Sequence, residues 1–198
     1  MSTRLLYWMM LKGVFNVFKK PKLLPLRLHP DPILAQKSEE VMIEELPQMR
    51  ELIANMGKTM YENDGCGLAA IQVGVPKRLL VYDVSEDQDD LCALINPRIV
   101  HASKSCETSD EGCLSFPELY EPIERATKVR VEGLDAKGKS VNIDAEGFLA
   151  RVLQHEIDHL EGLTMLDRMD GELRQQALRE YFGLPGGDVS KAPVGPEL

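Results

Sequence analysis

Residues 154–162 read Gln154-His155-Glu156-Ile157-Asp158-His159-Leu160-Glu161-Gly162, and no other stretch of the 198-residue chain constrains its fold as tightly. His155 and His159 are four apart, so on a helix they stand one turn above the other on one face, where two imidazoles can share a metal ion. At about 100° per residue, Leu149, Val152, Leu153, Ile157 and Leu160 fill one broad apolar arc, and Glu156 falls in its middle. An ionised carboxylate on the buried face of a helix is costly unless a partner or a coordinated water compensates it. The pattern predicts a helix over residues 144–161, stopped by Gly162, with Glu156 turned inward and Asp158 and Glu161 on the opposite, solvated side.

A catalytic metal typically has three protein ligands and one open position, so two histidines leave one ligand to find. A histidine six residues beyond His159 would complete one known arrangement, but Met165 stands there. On spacing alone a downstream acid, Glu172 or Glu180, remains open. The alternative is Cys113, in the extended segment Glu111-Gly112-Cys113-Leu114-Ser115, since a thiolate is a natural partner for two imidazoles.

Around this helix the chain reads as one domain. Met49, Leu52, Ile53, Met56 and Met60 recur at helical spacing over residues 46–63, ending at Asn63-Asp64-Gly65, and their methionines read as core. Residues 79–84 form a buried strand, followed by a solvated acidic loop at 86–90. Val129 and Val131 alternate with charged residues, and after a turn at 135–138 the alternation resumes at Val141 and Ile143, which is a hairpin with one buried face. A further helix spans 170–182. Strands segregated from helices predict an α+β fold, a mostly antiparallel sheet packed around the central metal-binding helix, with an amphipathic helix before it and a C-terminal helix after it.

The charge balance, 23 basic against 32 acidic residues for a net −9, argues against a DNA-binding protein, which needs clustered Lys and Arg. Residues 1–22 are the exception: a basic extension with no acid, followed by the domain at 23–183 and a Gly/Pro-containing tail at 184–198 that frays. The apolar run at 5–11 is too short to span a membrane, which requires about 20 residues. Four dispersed cysteines lack the density of a secreted disulfide scaffold and point to a reducing compartment, with Cys92 and Cys106 read as small buried hydrophobes.

Three motifs in order, Gly65-Cys66-Gly67-Leu68-Ala69-Ala70-Ile71-Gln72, Glu111-Gly112-Cys113-Leu114-Ser115 and Gln154-His155-Glu156-Ile157-Asp158-His159, make the sequence resemble the peptide deformylases over roughly residues 25–170. The resemblance implies a hydrolase that takes the formyl group from the N-terminal formylmethionine of new polypeptides. It implies one divalent metal held by Cys113, His155 and His159, Glu156 as general acid/base, and an oxyanion held by Gln72 and the Leu114 backbone N–H. Ferrous iron is the implied metal in the cell, replaceable by zinc, nickel or cobalt. Cys66, Gly67, Glu111, Gly112, Arg125, Phe148 and Val152 are the expected substrate-side residues, and Cys66 departs from the family, which favours Ile or Val there. The family places the chain in a bacterial-type cytoplasm as a monomer acting on nascent chains near the ribosome; residues 1–22 as an import sequence would place it in an organellar matrix. The rival readings are a zincin-type peptidase with Cys113 a bystander, an inactive homologue, and a translation-associated binding module whose metal is structural.

Overall fold

The computed structural model describes residues 20–183, so the tail 184–198 and nearly all of the basic extension 1–22 lie outside the described residues. Among the described residues, three α-helices, α1 (Leu46–Tyr61), α2 (Gly147–Leu160) and α3 (Gly171–Tyr181), accompany seven strands: β1 (Gly67–Ala69), β2 (Leu79–Tyr82), β3 (Cys92–Ala102), β4 (Cys106–Cys113), β5 (Phe116–Ala126), β6 (Lys128–Leu134) and β7 (Ser140–Glu146). The order β1-β2-β3-β6-β7 makes one sheet, and β4 and β5 form a separate hairpin. Every pair among these strands is antiparallel, as the α+β reading expects.

The sheet is covered on both faces, and β2 records this in its side chains. Leu79 and Val81 point into a core with Met49, Ile53, Met56 and Met60 of α1, whereas Leu80 and Tyr82 join Leu153, Ile157 and Leu160 of α2. Successive strand side chains face opposite sides, so an unbroken apolar run is what a doubly covered strand requires. A third cluster, with Phe116, Leu119, Ile123, Met165 and Ala177, docks α3 on the β4–β5 hairpin. The outcome is that α2 lies between the sheet and the hairpin, buried almost all round from Val152 to Leu160.

The β6–β7 hairpin forms as the alternation predicts, Val131 opposite Ile143. Its second strand runs further than expected, however, and α2 starts at Gly147 instead of 144. Asp144 pairs with Arg130 across the ladder, and the chain turns into the helix at Gly147, whose φ of 57° is cheap only for glycine. The β4–β5 ladder was legible only in part. Its strands read Cys-Glu-Thr-Ser-Asp-Glu-Gly-Cys and carry two prolines in β5, composition that looks like loop because much of the hairpin is exposed.

Asp83, the first residue past β2, organises the acidic loop. This buried carboxylate accepts from the Tyr61 and Ser85 hydroxyls and from the Ser85 and Asp90 N–H groups. Burial opposes its charge, yet these donors outweigh burial and pull its pKa down to about 2. An ordinary Asp titrates near ~3.9, so the stabilisation is fully present above that pH and is lost as pH falls toward 2. Asp83→Asn is therefore expected to be less stable than wild type at pH 7 in urea denaturation, with the gap closing between pH 4 and 2. A gap that stays constant across that window contradicts this assignment.

Candidate metal centre

Two elements bring the ligands together from distant parts of the chain. His155 and His159 stack one turn apart on α2, with Nε2 atoms 3.1 Å from each other, and the Cys113 Sγ at the end of β4 lies 3.2 Å from His159 Nε2. All three are buried, and their ligand atoms lie within 4.8 Å of one another; among the described residues this is the one such group. Tetrahedral bonds of about 2.0–2.3 Å separate ligands by roughly 3.3–3.7 Å, so the cage needs only a slight expansion to close on an ion. Glu172 and Glu180, the other candidates, sit exposed on α3, outside the group.

Glu156 is 4% exposed, and its Oε2 has no hydrogen-bond partner among the described residues. Burial pushes its pKa up to about 7. A buried carboxylate oxygen left without a protein donor, beside an N,N,S cage, fits a site built to hold an ion and a water. The neighbouring chain is shaped around this carboxylate: a Cβ at Gly67 would stand 2.3 Å from Glu156 Oε1. Gln72 is fixed at both ends of its amide. Its Oε1 accepts from Ala69 N–H at 2.8 Å, which turns Nε2 toward Ser115 Oγ at 3.2 Å and Cys113 Sγ at 3.6 Å.

Glu111 anchors the centre from behind. Its Oε1 accepts from His155 Nδ1 and Arg125 Nη2, each at 2.6 Å, and its Oε2 accepts from Arg125 Nε and Arg151 Nη1, each at 3.1 Å. Burial works against the Glu111 charge, but these donors outweigh it and hold its carboxyl well below the ordinary range. Because Nδ1 of His155 is engaged there, Nε2 is the nitrogen left for an ion. Arg125 also donates one bond to Asp158, which takes two more from Arg168. Asp158 is thus 6% exposed, not on the solvated face that helical amphipathicity assigns it, because two guanidinium groups compensate its burial.

An open cleft of about 550 Å³ leads to the centre. Cys66, Gly67, Gln72, Glu111, Gly112, Cys113, Leu114, Phe148, Val152, His155 and Glu156 all line it. Arg125 is absent from that lining; it is 4% exposed and acts beneath the floor, on Glu111 and Asp158. Burial raises the Cys66 thiol to about 11, so it meets the cleft as a neutral group. Phe148, 59% exposed, and Tyr120, 72% exposed, stand at the mouth. Sequence reasoning passed over Tyr120, Ser115 and Arg151; only Arg151 left a signal, lying four residues before His155 and hence on the same helix face.

A family model described as polypeptide deformylase matches residues 23–175. A peptide deformylase of Rhizobium meliloti is 43% identical over 159 residues, 79% of this chain and 91% of the relative. One from Natranaerobius thermophilus is 44% identical over 152 residues, 76% of this chain and 95% of the relative. Among solved structures, a peptide deformylase from Ehrlichia chaffeensis superposes with a TM-score of 0.75 at 38% identity, covering 81% of this chain and 95% of that one. One from Synechococcus elongatus in complex with actinonin gives 0.75 at 37% identity, covering 85% and 92%. With the sulfur and two imidazoles gathered at the inner end of the cleft, and with this likeness along most of its length, the chain belongs to the peptide deformylase family.

Proposed function

We propose that the cleft removes the N-formyl group from the formylmethionine that begins newly made polypeptides, releasing formate and a free N-terminus. The observation that carries this reading is the convergence of Cys113, His155 and His159 on one point, with Cys113 and His155 lining a cleft into which Glu156 and Gln72 also face and His159 buried behind them. Those three residues would hold a divalent ion, which when bound would lower the pKa of a water toward neutrality and act as a Lewis acid.

The protein groups divide the remaining work. Glu156, buried and with Oε2 free of any protein donor among the described residues, is placed to take a proton from the attacking water and return it to the leaving amine. Gln72 Nε2 and the Leu114 N–H are the donors for the oxyanion; the Gln72 amide is already oriented by Ala69, so little reorganisation is needed as charge develops. The edge strand β1 offers its backbone to an extended peptide, and the small residues at Gly67 and Ala69 let that peptide approach. The methionine side chain then lies against Cys66, Phe148 and Val152, with Gly112 opposite, while Glu111 and Arg125 keep His155 in place.

The resident ion in this reading is ferrous iron, with zinc, nickel or cobalt able to replace it, because a thiolate and two imidazoles accept all four. The substrates are nascent chains near the ribosome in a bacterial-type cytoplasm, and the enzyme is a monomer. No helix among the described residues is long and apolar enough to cross a membrane.

Two outcomes test the reading. Glu156→Ala is expected to keep its metal while formate release from formyl-Met-Ala-Ser falls roughly 10²–10⁴-fold, whereas Cys113→Ala loses the metal itself. A Cys113→Ala protein that retains both metal and turnover would instead make the chain a zincin-type hydrolase with a bystander thiol. Hydrogen peroxide is expected to inactivate the iron-loaded enzyme much faster than the nickel-loaded one, because the iron–thiolate pair is the oxidisable one. Equal rates of loss in the two forms contradict iron-specific lability.

A further inference from the structure

The β4–β5 hairpin carries Cys113, yet no strand ladder ties it to the five-stranded sheet on which α2 rests. Its seat against α2, and so the distance from the sulfur to the two imidazoles, depends on side chains that cross between them. Arg151 makes the most crossings to the hairpin main chain. It stands on α2 one turn before His155, with its side chain 11% exposed. Its Nη1 donates to Ile123 O at 2.8 Å and to Glu111 Oε2 at 3.1 Å, and reaches Ser109 O at 3.4 Å, while Nη2 donates to Glu107 O at 2.8 Å. One guanidinium therefore holds carbonyls of both strands as well as the carboxylate that orients His155.

We propose that Arg151 is a positioning residue for the metal cage: it clamps the hairpin to α2 so that the Cys113 sulfur and the His155 and His159 nitrogens reach one ion. The inference rests on the metal-centre reading above. Main-chain carbonyls cannot move without moving the strand, so bonds to Glu107, Ser109 and Ile123 fix the path of β4 and β5 themselves, whereas Arg125 bonds only to side chains. Lysine cannot replace this clamp. Four acceptors on three sides require two nitrogens in a flat fork, and an ammonium on a flexible stem presents one. Outer-layer groups of this kind typically matter roughly 10–100-fold in metal affinity.

The test compares wild type, Arg151→Lys and Arg151→Leu for cobalt(II) affinity, measured by competition with a chromophoric chelator. The thiolate-to-cobalt charge-transfer band and the melting temperature are recorded alongside. Affinity is expected to fall roughly 10-fold in Arg151→Lys and nearer 100-fold in Arg151→Leu, with a weakened charge-transfer band in both. A folded Arg151→Lys protein with wild-type affinity and an unchanged band overturns the proposal, even where its melting temperature drops, since that pattern marks a merely structural contact. This variant decides alone if Arg151→Leu fails to fold. A wild type that binds cobalt without any thiolate band overturns the metal-centre reading itself, and this inference with it.

Discussion

The interior of this protein is organised by the need to compensate polar groups on a helix that has almost no solvent face. From Val152 to Leu160, α2 buries His155, Glu156, Asp158 and His159 together with its apolar residues. Uncompensated, such groups would each cost several kcal/mol. Asp158 is answered by Arg125 and Arg168, and His155 by Glu111. Among the described residues, Glu156 Oε2 is left without a donor and His159 Nδ1 without a partner, while the Nε2 atoms of the two imidazoles and the Cys113 sulfur gather at one point. What remains uncompensated on this helix after the structural pairing lies at the candidate metal centre.

The cleft follows from how the two sheets are arranged around that helix. The five-stranded sheet ends at β1, whose open edge faces the cleft, and the separate hairpin supplies the opposite wall. Gly67 stands where β1 passes Glu156, and a side chain there would force the carboxylate to shift. In the proposed reaction the same close passage would bring a bound backbone near Glu156. Pairing a peptide to an edge strand gives affinity that does not depend on side-chain identity, which suits an enzyme that must act on many different polypeptides.

The metal helix was legible in the sequence because its histidines obey helical spacing and Glu156 violates the apolar arc it sits in. The buried strand β2 and the β6–β7 hairpin were legible through the periods of their apolar residues. Local pattern failed where compensation is long-range. Asp158 reads as solvated until Arg125 and Arg168, brought from elsewhere in the chain, are seen beside it. Arg125 itself reads equally well as a surface charge, and nothing in its neighbourhood says that it passes beneath the cleft. The start of α2 was misplaced because Asp144 resembles a helix cap, whereas cross-strand pairing with Arg130 keeps it extended. The β4–β5 hairpin was obscured by its polar composition, since a ladder with little apolar content gives periodicity nothing to detect.

The account stands on one sulfur from β4 joining two nitrogens from α2 at a shared ion. X-ray absorption on the metal-loaded protein reads that set directly. It should give one sulfur at about 2.3 Å and two imidazole nitrogens at about 2.0–2.1 Å, with the rest of the shell made of light oxygen scatterers. A shell of nitrogen and oxygen alone would contradict it.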